Sequence, residues 1–150
     1  AGSLAQLERL AEALALTARG IAIEADVGAP NQETLAARNQ HATLLLRLGQ
    51  LDAAAHEFDE LLPLVEQTLG REHIHYATFS SQAAACDLAR QRFATARERL
   101  EAVLPALEAR FGPSHARTRE AYQRLADAWT GLGDATRAAE FSAKAQPAPP

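Results

Sequence analysis

The chain has no methionine, one cysteine, one tryptophan and two tyrosines among its 150 residues, and Val and Ile together number only 6. A sheet fills its pleated faces with β-branched and aromatic side chains, so an all-β or α/β fold is not expected. Cys86 stands alone and cannot close an internal disulfide, which fits a reducing compartment and a cytoplasmic location. No apolar run approaches the length of about 18 residues that a membrane span requires. The opening residues lack a charged region followed by an apolar one, so neither a membrane partner nor a targeting signal is expected. A basic surplus is missing as well: 15 Lys and Arg against 19 Asp and Glu leave a net charge of −4, which gives nucleic acid no electrostatic footprint.

What the chain has in abundance is alanine, 35 residues, and leucine, 21. Both are strong helix formers, and the length suffices for one domain or a short repeat array. The sequence repeats itself. Gly28, Gly70 and Gly112 are spaced 42 residues apart, and the same step links Glu24, Glu66 and Glu108; Pro63, Pro105 and Pro147; Ala42, Ala84 and Ala126; and Ala54, Ala96 and Ala138. Ile23, Val65 and Leu107 align, as do Val27, Leu69 and Phe111, while Gly49 and Gly133 match with Gln91 between them. Several positions in one register define a unit of 42 residues that occurs about three times.

Each unit divides into two helices. Glu33 to Leu48 carries Leu35, Ala42 and Leu45 at helical spacing and closes at Gly49, which takes the left-handed conformation cheaply. Asp52 to Leu69 carries Ala54, Phe58, Leu61, Leu62, Val65 and Leu69 on the same period and closes at Gly70. Pro63 and Pro105 predict a kink in this second helix. Small Ala at 42 and 54, and at their equivalents, lets two antiparallel helices approach beneath a short turn. A lone hairpin cannot bury both its faces, so stacked hairpins are expected. The fold class is therefore all-α, a right-handed α-solenoid with one concave wall. One repeat domain is expected over 1–150: an apparent cloning scar at 1–3, which would mark an excised fragment, an N-terminal helix at 4–28, repeats at 31–70, 73–112 and 115–145, and a Pro-rich tail at 146–150.

The stretches Ala42-Thr43-Leu44-Leu45-Leu46-Arg47-Leu48-Gly49-Gln50-Leu51-Asp52-Ala53-Ala54 and Leu125-Ala126-Asp127-Ala128-Trp129-Thr130-Gly131-Leu132-Gly133-Asp134-Ala135-Thr136-Arg137-Ala138 resemble tetratricopeptide (TPR) repeats. The period is longer than that family's usual length of about 34 residues. With the loops Gly70-Arg71-Glu72-His73 and Gly112-Pro113-Ser114-His115, it is similar to the kinesin-light-chain variety, also common in bacterial regulatory proteins. The resemblance covers about Gly20 to Ala145. It implies a noncatalytic protein-interaction module that takes a partner's peptide or helix in a concave groove, as part of a larger scaffold or bacterial regulatory protein.

By position, the resemblance places Asn39, Gln40, Thr43, Leu46 and Arg47 of the first unit on that groove. It adds Ser81, Gln82 and Leu88 of the second, then Gln123, Arg124 and Asp127 of the third. The family's paired Asn is present only in part, with Gln40, Gln82 and Arg124 replacing one member. Carboxamides suit the role chemically, because each carries a donor and an acceptor and can bond an extended backbone whatever its side chains. An apolar anchor is expected near Leu46 or Leu88.

Some core positions are polar. Arg38 and His41 stand where Tyr122 and Leu125 stand in the third unit, and Asp87 stands where Leu45 and Trp129 do. A buried carboxylate demands a partner, so Asp87 is expected to pair with Arg38 or Arg90; an opening to water or a partner is the alternative. At the N-terminus, Leu4, Leu7, Ala11, Leu14, Ala18, Ile21 and Ala25 make a seam with steps of three and four. That seam packs on the first unit or, through Leu4, Leu7 and Leu14, mediates a homodimer. Homo-oligomerisation is thus the alternative function.

Catalytic chemistry is thin. His73 and His75, with His115 one unit later, are the only clustered histidines, and a zinc site wants three or four ligands. Gly131-x-Gly133 lacks the third Gly of a dinucleotide fingerprint. Cys86, among Ala83, Ala84 and Ala85, reads as a packed residue. No enzyme activity, cofactor or metal is expected.

Overall fold

The computed structural model describes residues 3–27 and 31–147, with the side chains of residues 17 and 20–27 excepted. Gly28 and residues 148–150 of the tail lie outside the described residues, as do residues 1 and 2 of the apparent scar. Seven helices run along the described chain, and no strand occurs among these residues. They are α1 (Leu4–Val27), α2 (Gln32–Arg47), α3 (Leu51–Leu69), α4 (Ile74–Ala89), α5 (Phe93–Phe111), α6 (Ala116–Gly131) and α7 (Ala135–Ala145). The starts of α2, α4 and α6 are each 42 residues apart, and so are those of α3, α5 and α7. The chain divides into two compact units, Ala1–Gly70 and Arg71–Pro150.

In the first unit α2 packs against both α1 and α3. Asn31 starts α2: its side chain accepts from the Thr34 amide at 3.0 Å while Thr34 Oγ1 accepts from the Asn31 amide at 2.8 Å. This reciprocal pair satisfies two amides that the helix itself leaves unbonded. At the other end Gly49 takes φ +80, and the amides of Gly49 and Gln50 bond the carbonyls of Leu46 and Leu45. Leu35, Ala42, Ala54, Phe58, Leu61 and Val65 are buried, and the expected period therefore marks the buried faces of α2 and α3. Each large apolar side chain so buried contributes about 1.5–3 kcal/mol.

In the second unit α4 packs on α5, α5 on α6 and α6 on α7, with α4 also touching α6. The core gathers Ala77, Ala84, Ala96, Leu100, Val103, Leu107, Ala121, Leu125 and Ala128. All six expected close-approach alanines, 42, 54, 84, 96, 126 and 138, are buried. Gly131 has its own packing reason, since a Cβ there would overlap the Phe93 ring. Here α4 and α6 start on histidine: Nδ1 of His73 accepts from the His75 amide at 3.0 Å, and Nδ1 of His115 from the Arg117 amide at 3.1 Å. The acceptor exists only while the imidazole is neutral.

Both helix prolines, Pro63 and Pro105, are exposed and lie inside single continuous helices, α3 and α5. Their missing amides fall on the solvent side. By contrast α7 stops at Ala145, and Gln146 is extended, the conformation favoured before a proline such as Pro147. Asp87 is buried and paired as its burial demands, and the structure supplies Arg99 of α5, whose Nε lies 2.7 Å from Oδ2. Sequence spacing pointed to Arg38 or Arg90. Arg99 is a partner that sequence spacing did not offer, because a residue on the adjoining helix is set by how α4 and α5 pack and not by distance along the chain.

The αL position that closes the first, or inner, helix of each pair is Gly49 in α2's turn and Gly133 in α6's, but Gln91, at φ +60, in α4's. A side chain in that conformation costs about 1–2 kcal/mol. Gln91→Gly is expected to stabilise the second unit by roughly 1 kcal/mol, read as a higher denaturation midpoint at unchanged m value. A lowered midpoint would show that the Gln91 side chain contributes more than its backbone costs.

Candidate functional site: the inner helix faces

The residues assigned to partner contact fall on α2, α4 and α6, and within each helix members three, four or seven residues apart, such as 39 and 43, 81 and 88, and 123 and 127, share a face. In the first unit Asn39 is buried and its Oδ1 has no hydrogen-bond partner. Thr43 Oγ1 donates to the Asn39 carbonyl at 2.8 Å, a bond within its own helix. Gln40 and Arg47 are exposed and Leu46 is half-buried. Arg47 also borders an open cleft of about 430 Å³ with Gln6, Leu7, Arg9 and Leu10 of α1.

In the second unit the structure brings Ser81, Gln82 and Arg124 together. Nη1 of Arg124 donates to the Ser81 hydroxyl at 2.8 Å and to the Ser81 carbonyl at 3.2 Å, tying α6 to α4. Burial pulls the Arg124 guanidinium below its ordinary pKa, opposed by the carboxylate of Glu120 at 4.0 Å. The residual space beside them, bordered also by Thr78 and Arg117, is about 10 Å³, room for a single water at most. Gln82 Oε1 is buried there without a hydrogen-bond partner. A buried acceptor left unbonded is costly, and beside Gln82 the space admits a water and nothing larger.

Gln123 and Asp127 are exposed on α6, and Gln123 Nε2 donates to Asp127 Oδ1 at 3.1 Å. Leu88 is half-buried. Ser81 and Arg124 are thus spent on each other, whereas Gln40, Gln123 and Asp127 face solvent. On α1, Leu4 is 74% exposed and Leu7 40%, while Leu14 is half-buried; Leu16, which the seam did not include, is 67% exposed.

The histidine cluster is arranged for folding. His73 spends Nδ1 on its helix cap, and His75 stacks on Phe79 with ring centroids 5.2 Å apart. Burial, then the neighbouring His73 and Arg117, hold the His75 imidazole below its usual pKa. Among the described residues no group of three or more His, Cys, Asp or Glu is placed to hold a metal. Cys86 is buried in α4. Sequence reading missed the cation pair on Trp129, with the guanidinium carbons of Arg137 and Arg97 at 4.6 and 5.3 Å from the ring centroid. It also missed a cleft beside Tyr122. The spacing of Arg97, Trp129 and Arg137 carries no periodic signal that would have joined them.

No family model matches the sequence, and no curated protein matches it. Among solved structures, two of a Podosopora anserina kinesin light chain protein with nearly identical TPR-like repeats superpose on 93% of this chain at 22% identity. One is of a point variant of that protein, with a TM-score of 0.83; the other gives 0.82. BtubC (BKLC) from P. vanneervenii superposes on 91% at 19% identity with a TM-score of 0.79. The chain spans 66% and 67% of the first two and 54% of the third. At these identities the likeness is one of fold.

Arg124→Met tests the α4–α6 tie. Removal of the donor leaves the Ser81 hydroxyl and carbonyl without it, so a loss of about 1–3 kcal/mol is expected in denaturant unfolding. Ser81→Ala, which keeps the carbonyl bond, should cost less; equal stability of Arg124→Met and wild type would contradict the tie. Repeated helix pairs, their 42-residue step and the superpositions converge on one conclusion: this chain is an all-α protein of antiparallel helix pairs with the TPR-like repeat fold.

Proposed function

We propose that the chain is a noncatalytic protein-interaction module that holds a peptide or helix of a partner protein against its inner helices. In the first unit the contacts come from Asn39, Gln40, Thr43, Leu46 and Arg47 on α2; in the second they come from Gln82, Leu88, Gln123 and Asp127 on α4 and α6. Ser81 and Arg124 support the face by bonding each other. The observation that carries this reading is the set of carboxamides on α2, α4 and α6, of which Gln40 and Gln123 are exposed to solvent and can bond a partner's backbone. Folded helices already fix these groups, so little ordering entropy opposes binding. The TPR-like fold generally serves protein interaction, and a larger cytoplasmic scaffold or bacterial regulator is the setting proposed for it. No helix among the described residues is long and apolar enough to cross a membrane.

A second reading, homo-oligomerisation through α1, is favoured by the exposure of Leu4 and Leu7. Both readings are separable. A partner recovered with the full-length parent should bind this chain, and Gln40→Ala with Gln82→Ala should weaken that binding by roughly 30-fold, two hydrogen bonds' worth, with helicity and melting intact. Unchanged affinity would sink the assignment of the inner helices. Under the second reading, Leu4→Glu with Leu7→Glu would instead abolish a dimer seen by light scattering.

A further inference from the structure

The second and third repeats differ where the outer helix covers the inner one. In the second repeat Ala77 and Ser80 of α4 are buried, and Ala77 shares the core with Val103 and Leu107 from the second half of α5. Forty-two residues on, the same positions of α6 hold Arg119 and Tyr122. The covering helix α7 has 11 residues where α5 has 19. Where α5's second half seals the second repeat, the third has a cleft of about 380 Å³, bordered by Glu108, Ser114, Arg119, Tyr122, Lys144 and Gln146.

Its polar groups are incompletely matched. Tyr122 donates its hydroxyl to Glu108 Oε2 at 2.7 Å. Burial and this bond push the phenol pKa up to about 12, so the proton stays on the tyrosine and one Glu108 oxygen is occupied. The Nε of Arg119 is buried without a hydrogen-bond partner. Lys144 Nζ sits 5.8 Å from the centroid of the Tyr122 ring and 5.3 Å from that of Phe141. Neither cation has a carboxylate partner among the described residues. Two cations against one carboxylate leave a single positive charge in excess, with an aromatic wall beside it.

We propose that this cleft binds a carboxylate of a partner polypeptide, a Glu or Asp side chain whose two oxygens meet Arg119 and Lys144 and whose aliphatic stem lies along Tyr122. The guanidinium fork matches the planar carboxylate, and the orphaned Nε is the donor that gains most. One net charge fits one carboxylate; a phosphate dianion would face Glu108. The nature of the partner rests on the interaction-module reading, but the surface is separate from the inner-helix residues. An isolated peptide tests it without reference to them, so failure of either proposal leaves the other standing.

The test is nuclear magnetic resonance on the ¹⁵N-labelled full chain, titrated with a blocked Gly-Glu-Gly peptide, its Gly-Gln-Gly counterpart and inorganic phosphate at matched ionic strength. The Glu peptide should give saturable shifts at Arg119 Nε–H and at the Ser114 and Tyr122 amides, with the Gln peptide at least about tenfold weaker. Arg119→Gln should weaken the response by a similar factor. Lys144→Gln, at an exposed position that leaves the fold untouched, should weaken it several-fold. Equal responses to the two peptides, an equal response to phosphate, or a response that survives both substitutions would overturn the proposal. Shifts at the same resonances on raising protein concentration alone would put a second copy in the cleft and overturn it too.

Discussion

Everything in this molecule depends on how closely paired helices approach. Ala54 and Ala96 stand early in α3 and α5, and Ala42 and Ala84 stand past the midpoints of the α2 and α4 helices that precede them; all four are completely buried. At such fully buried positions a side chain larger than a methyl group is expected to impose strain of about 1–3 kcal/mol. With the crossing fixed, Phe58, Leu61 and Val65 in one unit and Leu100, Val103 and Leu107 in the other become the buried stripe of the outer helix. The opposite side of the same helices can then carry exposed prolines. Pro63 and Pro105 would be costly in a buried ladder, but they remove amides on the side that water reaches.

The same geometry fixes the polar groups. Asp87 is buried by the packing of α4 and is answered by Arg99 from α5; Arg124 is largely buried on α6 and is answered by Ser81 from α4. These ties leave a different set of side-chain atoms unanswered: Asn39 Oδ1, Gln82 Oε1, Arg119 Nε and Trp129 Nε1. Buried polar atoms are ordinarily bonded, and each exception calls for a reason. For Arg119 Nε, an external group that meets it supplies one, and the carboxylate proposal rests on that contrast.

Much of the fold was legible because it follows from spacing. The 42-residue step foretold where α2, α4 and α6 begin relative to one another, and Gly49, Gly70 and Gly133 marked real turns with positive φ. Less was legible where a contact joins residues with no periodic relation. Arg99 could not be distinguished from Arg38 or Arg90 until α4 and α5 were packed. His73 and His115, read as loop residues, turned out to be helix caps, because an imidazole acceptor does for α4 and α6 what Asn31 does for α2. The cleft at Tyr122 lies beside the end of α7 at Ala145, a stop that the Pro-rich tail foretold, but the meeting of Glu108, Arg119 and Lys144 there has no periodic signal. Of the residues assigned to the groove, position along the repeat gave the helix and the face, but it was silent on which members would bond one another, as Ser81 and Arg124 do.

The most direct measurement compares two alanines on one helix. Ala96 is fully buried in the α4–α5 core, and Ala102 is exposed on the same α5. If close approach of the paired helices is the controlling constraint, Ala96→Leu lowers unfolding free energy by about 1–3 kcal/mol, whereas Ala102→Leu stays within about 0.5 kcal/mol of wild type. Equal stability of the two variants would contradict the account.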